Sequence, residues 1–198
     1  MKPFSEACEQ NKAPILEVLR RELASAARVL EIGSGTGQHA VYFAAALPRL
    51  TWIASDVSAH HEGIRAWLSE AGLPNLEGPL SLDVDQPDWP VAETDAVFSA
   101  NTAHIMSWPS VQRMVTGVAR VLRPGGVFCL YGPFNEAGAY TSESNARFDA
   151  WLRARDPASG VRDRLALDAL AHEHGLAPAR RYPMPANNQI LVWEKPAS

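Results

Sequence analysis

Cysteine is scarce: Cys8 and Cys129 are the only two in 198 residues. They lie far apart and belong to no CxxC pair. That excludes a disulfide-stapled scaffold and a cysteine-based metal knot, and two reduced thiols of a cytoplasmic protein are expected. Lysine is nearly as rare, with only Lys2, Lys12 and Lys195, and the net charge is -4. No run of Lys and Arg is present. Duplex binders draw much of their affinity from neutralising phosphates, so nucleic acid is not an expected partner. No apolar run approaches the roughly 20 residues that would cross a bilayer. The opening "MKPFSEACEQNK" has no apolar core of signal-peptide length. Neither a membrane partner nor export is expected.

What is present is an ordinary globular mixture, 46% hydrophobic and 20% charged. It is enough for a single domain over residues 1–198 with a full core. Apolar runs alternate with helix-period segments. "APILEVLRRELASA" repeats Ile15, Leu16, Leu19 and Leu23 at helical spacing. "RVLEI" reads as a buried strand, "GQHAVYFAAAL" as a helix, and "TWIAS" as a strand ending at Asp56. "SAHHEGIRAWLSEAG" reads as a helix capped by Ser58 and closed by Gly72. Further strands fall at "LEGPLSL", "DAVFSA" and "GVFCLYG", with the helix "SWPSVQRMVTGVARVL" between the last two. A loop-rich excursion runs over 133–160, with Ser142 capping a short helix. The helix "RDRLALDALAHEHG" and two strands, "LAPARRYPM" and "QILVWEK", complete the chain. This alternation predicts a Rossmann-like α/β fold: a seven-stranded, mostly parallel sheet with helices on both faces. Five strands are parallel. The terminal pair has no helix between its members and forms a reversed edge.

The first strand runs into Gly33, Gly35 and Gly37. A phosphate-cradling ATPase loop needs a lysine after the last glycine, and Gln38 stands there. A dinucleotide turn needs G-x-G-x-x-G, and here the third glycine comes one residue early. No Tyr-x-x-x-Lys pair of a short-chain reductase occurs. Glu31, two residues before the first glycine, sits badly beside a pyrophosphate and well beside a cation. S-adenosylmethionine carries no phosphate but has a sulfonium and an ammonium. Glu31 suits that cationic end, directly or through water. Asp56 ends the second strand, where an acid grips ribose hydroxyls. Asp83, after the third strand, can accept from the adenine amine.

With these residues on the page, the chain resembles the class I S-adenosylmethionine-dependent methyltransferases. "LEIGSGTG", "SDV", "LDV", "DAVFSANTAH" and "VLRPGG" follow that superfamily's order over residues 28–132. "EQNKAPIL", "GPFNEAGAYTSESNARFDAWLRARDPASGVRD" and "MPANNQILVW" resemble a compact methyltransferase-like family of unknown function. The resemblance implies that Glu31, Gly33, Gly35 and Gly37 line the methionine half of the cofactor. It implies Asp56 at the ribose, Asp83 and the Val84 backbone at the adenine, and Asn101 beneath the sulfonium. An enzyme transferring a methyl group to O, N or S of a small molecule is expected. The alternative is a protein that binds the cofactor without transfer.

Acceptor-side candidates follow the fourth and fifth strands. His104, three residues past Asn101, is a candidate base. Asn135, Tyr140 and Asn145 are substrate-binding candidates on the 133–160 lid, with Tyr140 a second catalytic candidate. The segment 1–27 is expected to fold over the cofactor mouth, with Lys12 on the methionine carboxylate and Asn11 beside it. "MPANN" reads as a turn closing the last strand. His60–His61 and His172–His174 do not share a helix face, and no metal site is expected. A homodimer is left open.

Overall fold

The computed structural model describes residues 2–197. The chain runs through α1 (Glu6–Glu22), β1 (Arg28–Ile32), α2 (Gln38–Ala46), β2 (Thr51–Asp56), α3 (His61–Ala71), β3 (Leu76–Ser81), β4 (Thr94–Ala100) and α4 (Trp108–Val121). It continues through β5 (Leu122–Gly132), β6 (Phe134–Asn135), α5 (Glu143–Arg155), β7 (Arg162–Asp163), α6 (Arg164–Glu173), β8 (Ala177–Met184) and β9 (Asn188–Glu194). The seven-stranded sheet has the order β3-β2-β1-β4-β5-β9-β8, and β6 and β7 form a small separate pair. The first five strands pair in parallel. The terminal hairpin is antiparallel, and its last strand, β9, lies inside, against β5. This is the Rossmann-like fold expected from the alternation of elements.

Period-2 alternation splits the core between the two faces of the sheet. Val29, Trp52, Phe98 and Cys129 pack on one face against α1, α2 and α3. Leu30, Ile53, Val97 and Phe128 pack on the other against α4 and α6. The strand order reverses between β1 and β4, which pair from Val29↔Ala96 to Ile32↔Ser99. In open α/β sheets, ligands collect beyond the carboxyl ends of the strands at this reversal.

Three local readings are corrected. Helix α1 starts at Glu6, not near Ala13, and carries Pro14 inside it. An interior proline costs about 3 kcal/mol. Burial of Ile15, Leu16, Leu19 and Leu23 returns roughly 1.5–3 kcal/mol each and outweighs it. Ser5 caps the helix by accepting from Cys8 N, and Glu6 and Glu9 complement its dipole. Ser58 does not cap α3; a 3-10 turn, Ser58–His60, precedes it. Asp56 Oδ1 accepts Val57 N at 2.7 Å at that entry. The 133–160 excursion is nearly half helix: α5 takes 13 residues behind its Ser142 cap.

Candidate functional site

Between β1 and α2 the chain turns on three left-handed glycines, Gly33 (φ 72°), Gly35 (φ 59°) and Gly37 (φ 92°). A side chain at Gly33 would strike Thr102 Cγ2 at 2.6 Å, so the turn lies hard against the loop after β4. At Gly35 nothing stands within 4 Å of an added Cβ, leaving the backbone open to a ligand. Asp56 fastens this turn to the end of β2. Its Oδ2 accepts Gly35 N at 2.8 Å, and its Oδ1 lies 2.8 Å from His60 Nδ1.

Glu31 is 2% exposed. Its Oε2 accepts from Ser34 Oγ at 2.8 Å and Trp52 Nε1 at 3.1 Å. Burial pushes its carboxyl up to about 7, against the pull of those two donors. Asp83 turns inward on its own loop, accepting Asp85 N at 2.9 Å, and Val84 beside it is buried. Asn101 holds a left-handed backbone (φ 58°) and donates its N–H to Tyr131 O at 3.0 Å. Asparagine is one of the few non-glycine residues that enter this left-handed region readily.

Two hollows open on this edge of the sheet. One, about 650 Å³, is bounded by Gly35, Thr36, His60 and Gly63 with Lys2 and Pro3 above. The other, about 400 Å³, has Asn101, Tyr131 and Pro133 as its floor. One face of α1 (Ala7, Gln10, Asn11, Pro14) forms one wall, at the i, i+3, i+4, i+7 spacing of a helix stripe. Ser144, Asn145 and Phe148 of α5 form a second wall, and Met184, Pro185, Ala186 and Asn188 a third. Helix α1 is stitched over the site by α2: Gln38 Oε1 accepts Ser5 N at 2.6 Å, and His39 Nε2 meets Asn11 Oδ1 at 2.7 Å. Burial pushes His39 down to about 4, so the ring stays neutral, stacked 5.1 Å from Phe43.

The acceptor-side candidates are dispersed. Asn145 lines the 400 Å³ cavity. His104 lies behind it, buried, its ring edge-on to Phe148 at 5.2 Å. Burial, then Arg162, pushes it down to about 4, making it neutral and a weak base at pH 7. Tyr140 is not at the cavity: it is half exposed, and its hydroxyl donates to Asp149 Oδ2 at 2.7 Å. It is not among the residues that line this cavity. Asn135 also stands off the cavity wall, with Nδ2 toward Val161 O at 3.5 Å and a buried Oδ1 that meets no donor among the described residues. Lys12 pairs with Glu9 and sits over the Tyr42 ring, 4.9 Å from its centroid.

Gln10, Tyr131 and Phe148 were not expected as lining residues, and Asn188 was expected chiefly as part of a closing turn. Tyr131 had a signal, since it stands at the carboxyl end of β5. The "MPANN" turn had another: asparagine tolerates the left-handed backbone that Asn187 adopts. Ala186 (φ 58°) and Asn187 (φ 59°) adopt it, swinging the turn against the cavity.

Known proteins resemble this chain over much of its length. The fatty-acid O-methyltransferase of Mycolicibacterium smegmatis is 34% identical over 133 residues, 64% of this chain and 45% of that protein. The S-adenosyl-L-methionine-dependent Diels-Alderase iccD of Talaromyces variabilis is 29% identical over 143 residues, 70% of this chain and 47% of that protein. The chain thus spans about half the length of these relatives. An O-methyltransferase family 2 protein from Planctomyces limnophilus, solved with apigenin, superposes with a TM-score of 0.84 at 15% identity. That match covers 96% of this chain and 57% of the other, and it shows the shared methyltransferase fold. The family described as protein of unknown function (DUF938) matches residues 2–195, and the chain belongs to it.

Proposed function

We propose that this chain binds S-adenosylmethionine at the glycine turn and transfers its methyl group to a small molecule in the 400 Å³ cavity. The observation that carries the reading is the Asp56 carboxylate tied to Gly35 N at the end of β2. It holds an open left-handed turn beside an acid suited to ribose hydroxyls. The fit to the cofactor rests on Gly35, whose backbone faces open space, and on Glu31, a buried acid without a cationic partner among the described residues. When bound, the cofactor supplies an electrophilic methyl on a sulfonium. Asp56 would hold the ribose, Glu31 would favour the ammonium end, and Asp83 with the Val84 backbone would face the adenine. Asn101 stands at the boundary between this site and the cavity. The protein's contribution is alignment, since in-line displacement needs near-contact geometry more than a strong base. His104, weakly basic, shapes the cavity through Phe148.

No helix among the described residues is long and apolar enough to cross a membrane. A second reading, cofactor binding without transfer, draws on the Diels-Alderase relative, whose name couples the cofactor to another reaction. Titration calorimetry with S-adenosylmethionine, S-adenosylhomocysteine and NADH tests the site. Binding of the first two alone is expected, and binding of NADH alone overturns it. Release of S-adenosylhomocysteine in the presence of an acceptor then separates transfer from mere binding.

A further inference from the structure

We infer that the cavity takes an uncharged acceptor read by carboxamides, an inference that rests on the methyl-transfer reading above and names its substrate class. The chain is 20% charged, yet among the described residues no Asp, Glu, Lys, Arg or His lines the 400 Å³ cavity. Its polar groups are instead amides and hydroxyls. Four of the chain's seven asparagines are there, Asn11, Asn101, Asn145 and Asn188, with Gln10 and Tyr131. Such groups both donate and accept, so they match carbonyls, amides, phenols and ring nitrogens without a net charge.

Part of this hydrogen-bonding capacity is uncommitted. Asn145 is 4% exposed, and its Nδ2 donates to Thr141 Oγ1 and Asn187 O at 3.2 and 3.1 Å. Its Oδ1 accepts nothing from the described residues, and the Asn101 carboxamide makes no hydrogen bond with them. Both groups face the open cavity, where a ligand can take the place of water as their partner. Tyr131 sits between the Asn11 and Asn188 amides; its burial raises the phenol, which stays protonated and able to donate.

An anion would find no counter-charge. Lys12 is held by Glu9, Arg153 by Asp149, and Arg181 by Glu136. Arg162 is spent on the carbonyls of Ala103, Met106 and Ala158. The positive end of α5 is met by the Ser142 cap and by Glu143 in its first turn. A carboxylate moved into this cavity loses its hydration with nothing ionic to replace it. Phe148 and the proline rings of Pro14, Pro133 and Pro185 supply apolar walls. The class that fits is a neutral, hydrogen-bonding ring compound, not an acid of the kind named for the fatty-acid relative.

The test is ligand-observed NMR on the full chain saturated with S-adenosylhomocysteine, using shape-matched pairs. The probes are 4-hydroxybenzamide against 4-hydroxybenzoate and nicotinamide against nicotinate. The carboxamide of at least one pair should bind about tenfold tighter than its carboxylate. Gln10→Arg, on an exposed position of α1, places a cation on the wall and should reverse that preference. Equal or tighter binding of the carboxylates to the wild-type chain overturns the inference, as does no binding by either carboxamide. S-adenosylhomocysteine affinity, measured first, judges the methyl-transfer reading separately.

Discussion

The two sides of the site are built in different ways. The glycine-turn side comes mainly from one continuous stretch, Glu31–Gly37, with the strand ends at Asp56 and Asp83–Val84. Its polar groups are carboxylates, and its backbone is fixed by left-handed glycines. The cavity side is gathered from α1, the ends of β4 and β5, α5 and the β8–β9 turn. Its polar groups are neutral amides. A site for a charged, invariant molecule can be written in a local motif. A site for a particular acceptor is assembled by tertiary packing, and that is the half that varies among proteins sharing this sheet.

The largest effect expected from breaking this contrast is on the turn side. Asp56→Asn removes the charge yet can still accept Gly35 N, so the fold should survive. Calorimetry should show S-adenosylmethionine affinity falling at least about a hundredfold, since two charge-assisted hydrogen bonds are lost. Unchanged affinity would remove Asp56 from the site. The next effect concerns the clasp between the two sides. His39 is held near 4 in the folded chain, so the unfolded chain binds the extra proton between about pH 6.5 and 4. Stability present above pH 6.5 is therefore lost as pH falls, by about 2 kcal/mol between pH 7 and 5 from this group. Urea unfolding of His39→Gln against wild type should show that part of the acid loss removed. An equally steep loss in the variant would rule it out.

The same contrast explains what could be read in advance. Strand and helix order followed from apolar periodicity, and the turn side from glycine spacing and the acids at Glu31, Asp56 and Asp83. These signals are local, because the sheet fixes what a residue at a strand end must face. The start of α1 was not legible: Pro14 is a local veto, overridden by the burial of Ile15, Leu16, Leu19 and Leu23. The cavity lining was only partly legible. Asn145 was picked out by its polar surroundings, whereas Gln10 and Asn188 are 178 positions apart in sequence and meet only in the folded chain. Tyr140 shows the converse. Its hydroxyl looked available in sequence, whereas in the fold Asp149 accepts from it, a partner that no local signal announces.

A third effect sharpens the turn side through pH. Glu31 is raised to about 7 by burial, so it is mostly protonated at pH 6 and mostly ionised at pH 8. Its linkage to stability has the sign opposite to that of His39. The folded chain holds the proton longer than the unfolded one, so stability falls as pH rises from about 4.5 to 7. A cationic cofactor reverses that cost. S-adenosylmethionine affinity should therefore rise about tenfold from pH 6 to 8, with proton release seen as a buffer-dependent calorimetric heat. Glu31→Gln should be flat over this range; a wild-type slope in that variant would detach Glu31 from the cofactor.

The smallest effect concerns Tyr140, on the outer side of α5. Its hydroxyl meets Asp149 Oδ2 at 2.7 Å, while Asp149 also accepts Arg153 Nε at 2.9 Å and Val161 N at 2.7 Å. Burial alone would raise the Asp149 carboxyl, but these donors hold it below the usual range. Tyr140→Phe removes one donor of three at an exposed edge, so the carboxylate stays satisfied and α5 keeps its place. A slight loss of thermal stability is expected, with S-adenosylmethionine affinity and acceptor KM both within about twofold of wild type. A large rise in acceptor KM with unchanged stability would put the phenol back at the substrate. The cavity wall would then extend past Phe148 to the outer face of α5, and the acceptor would be larger than the 400 Å³ hollow holds.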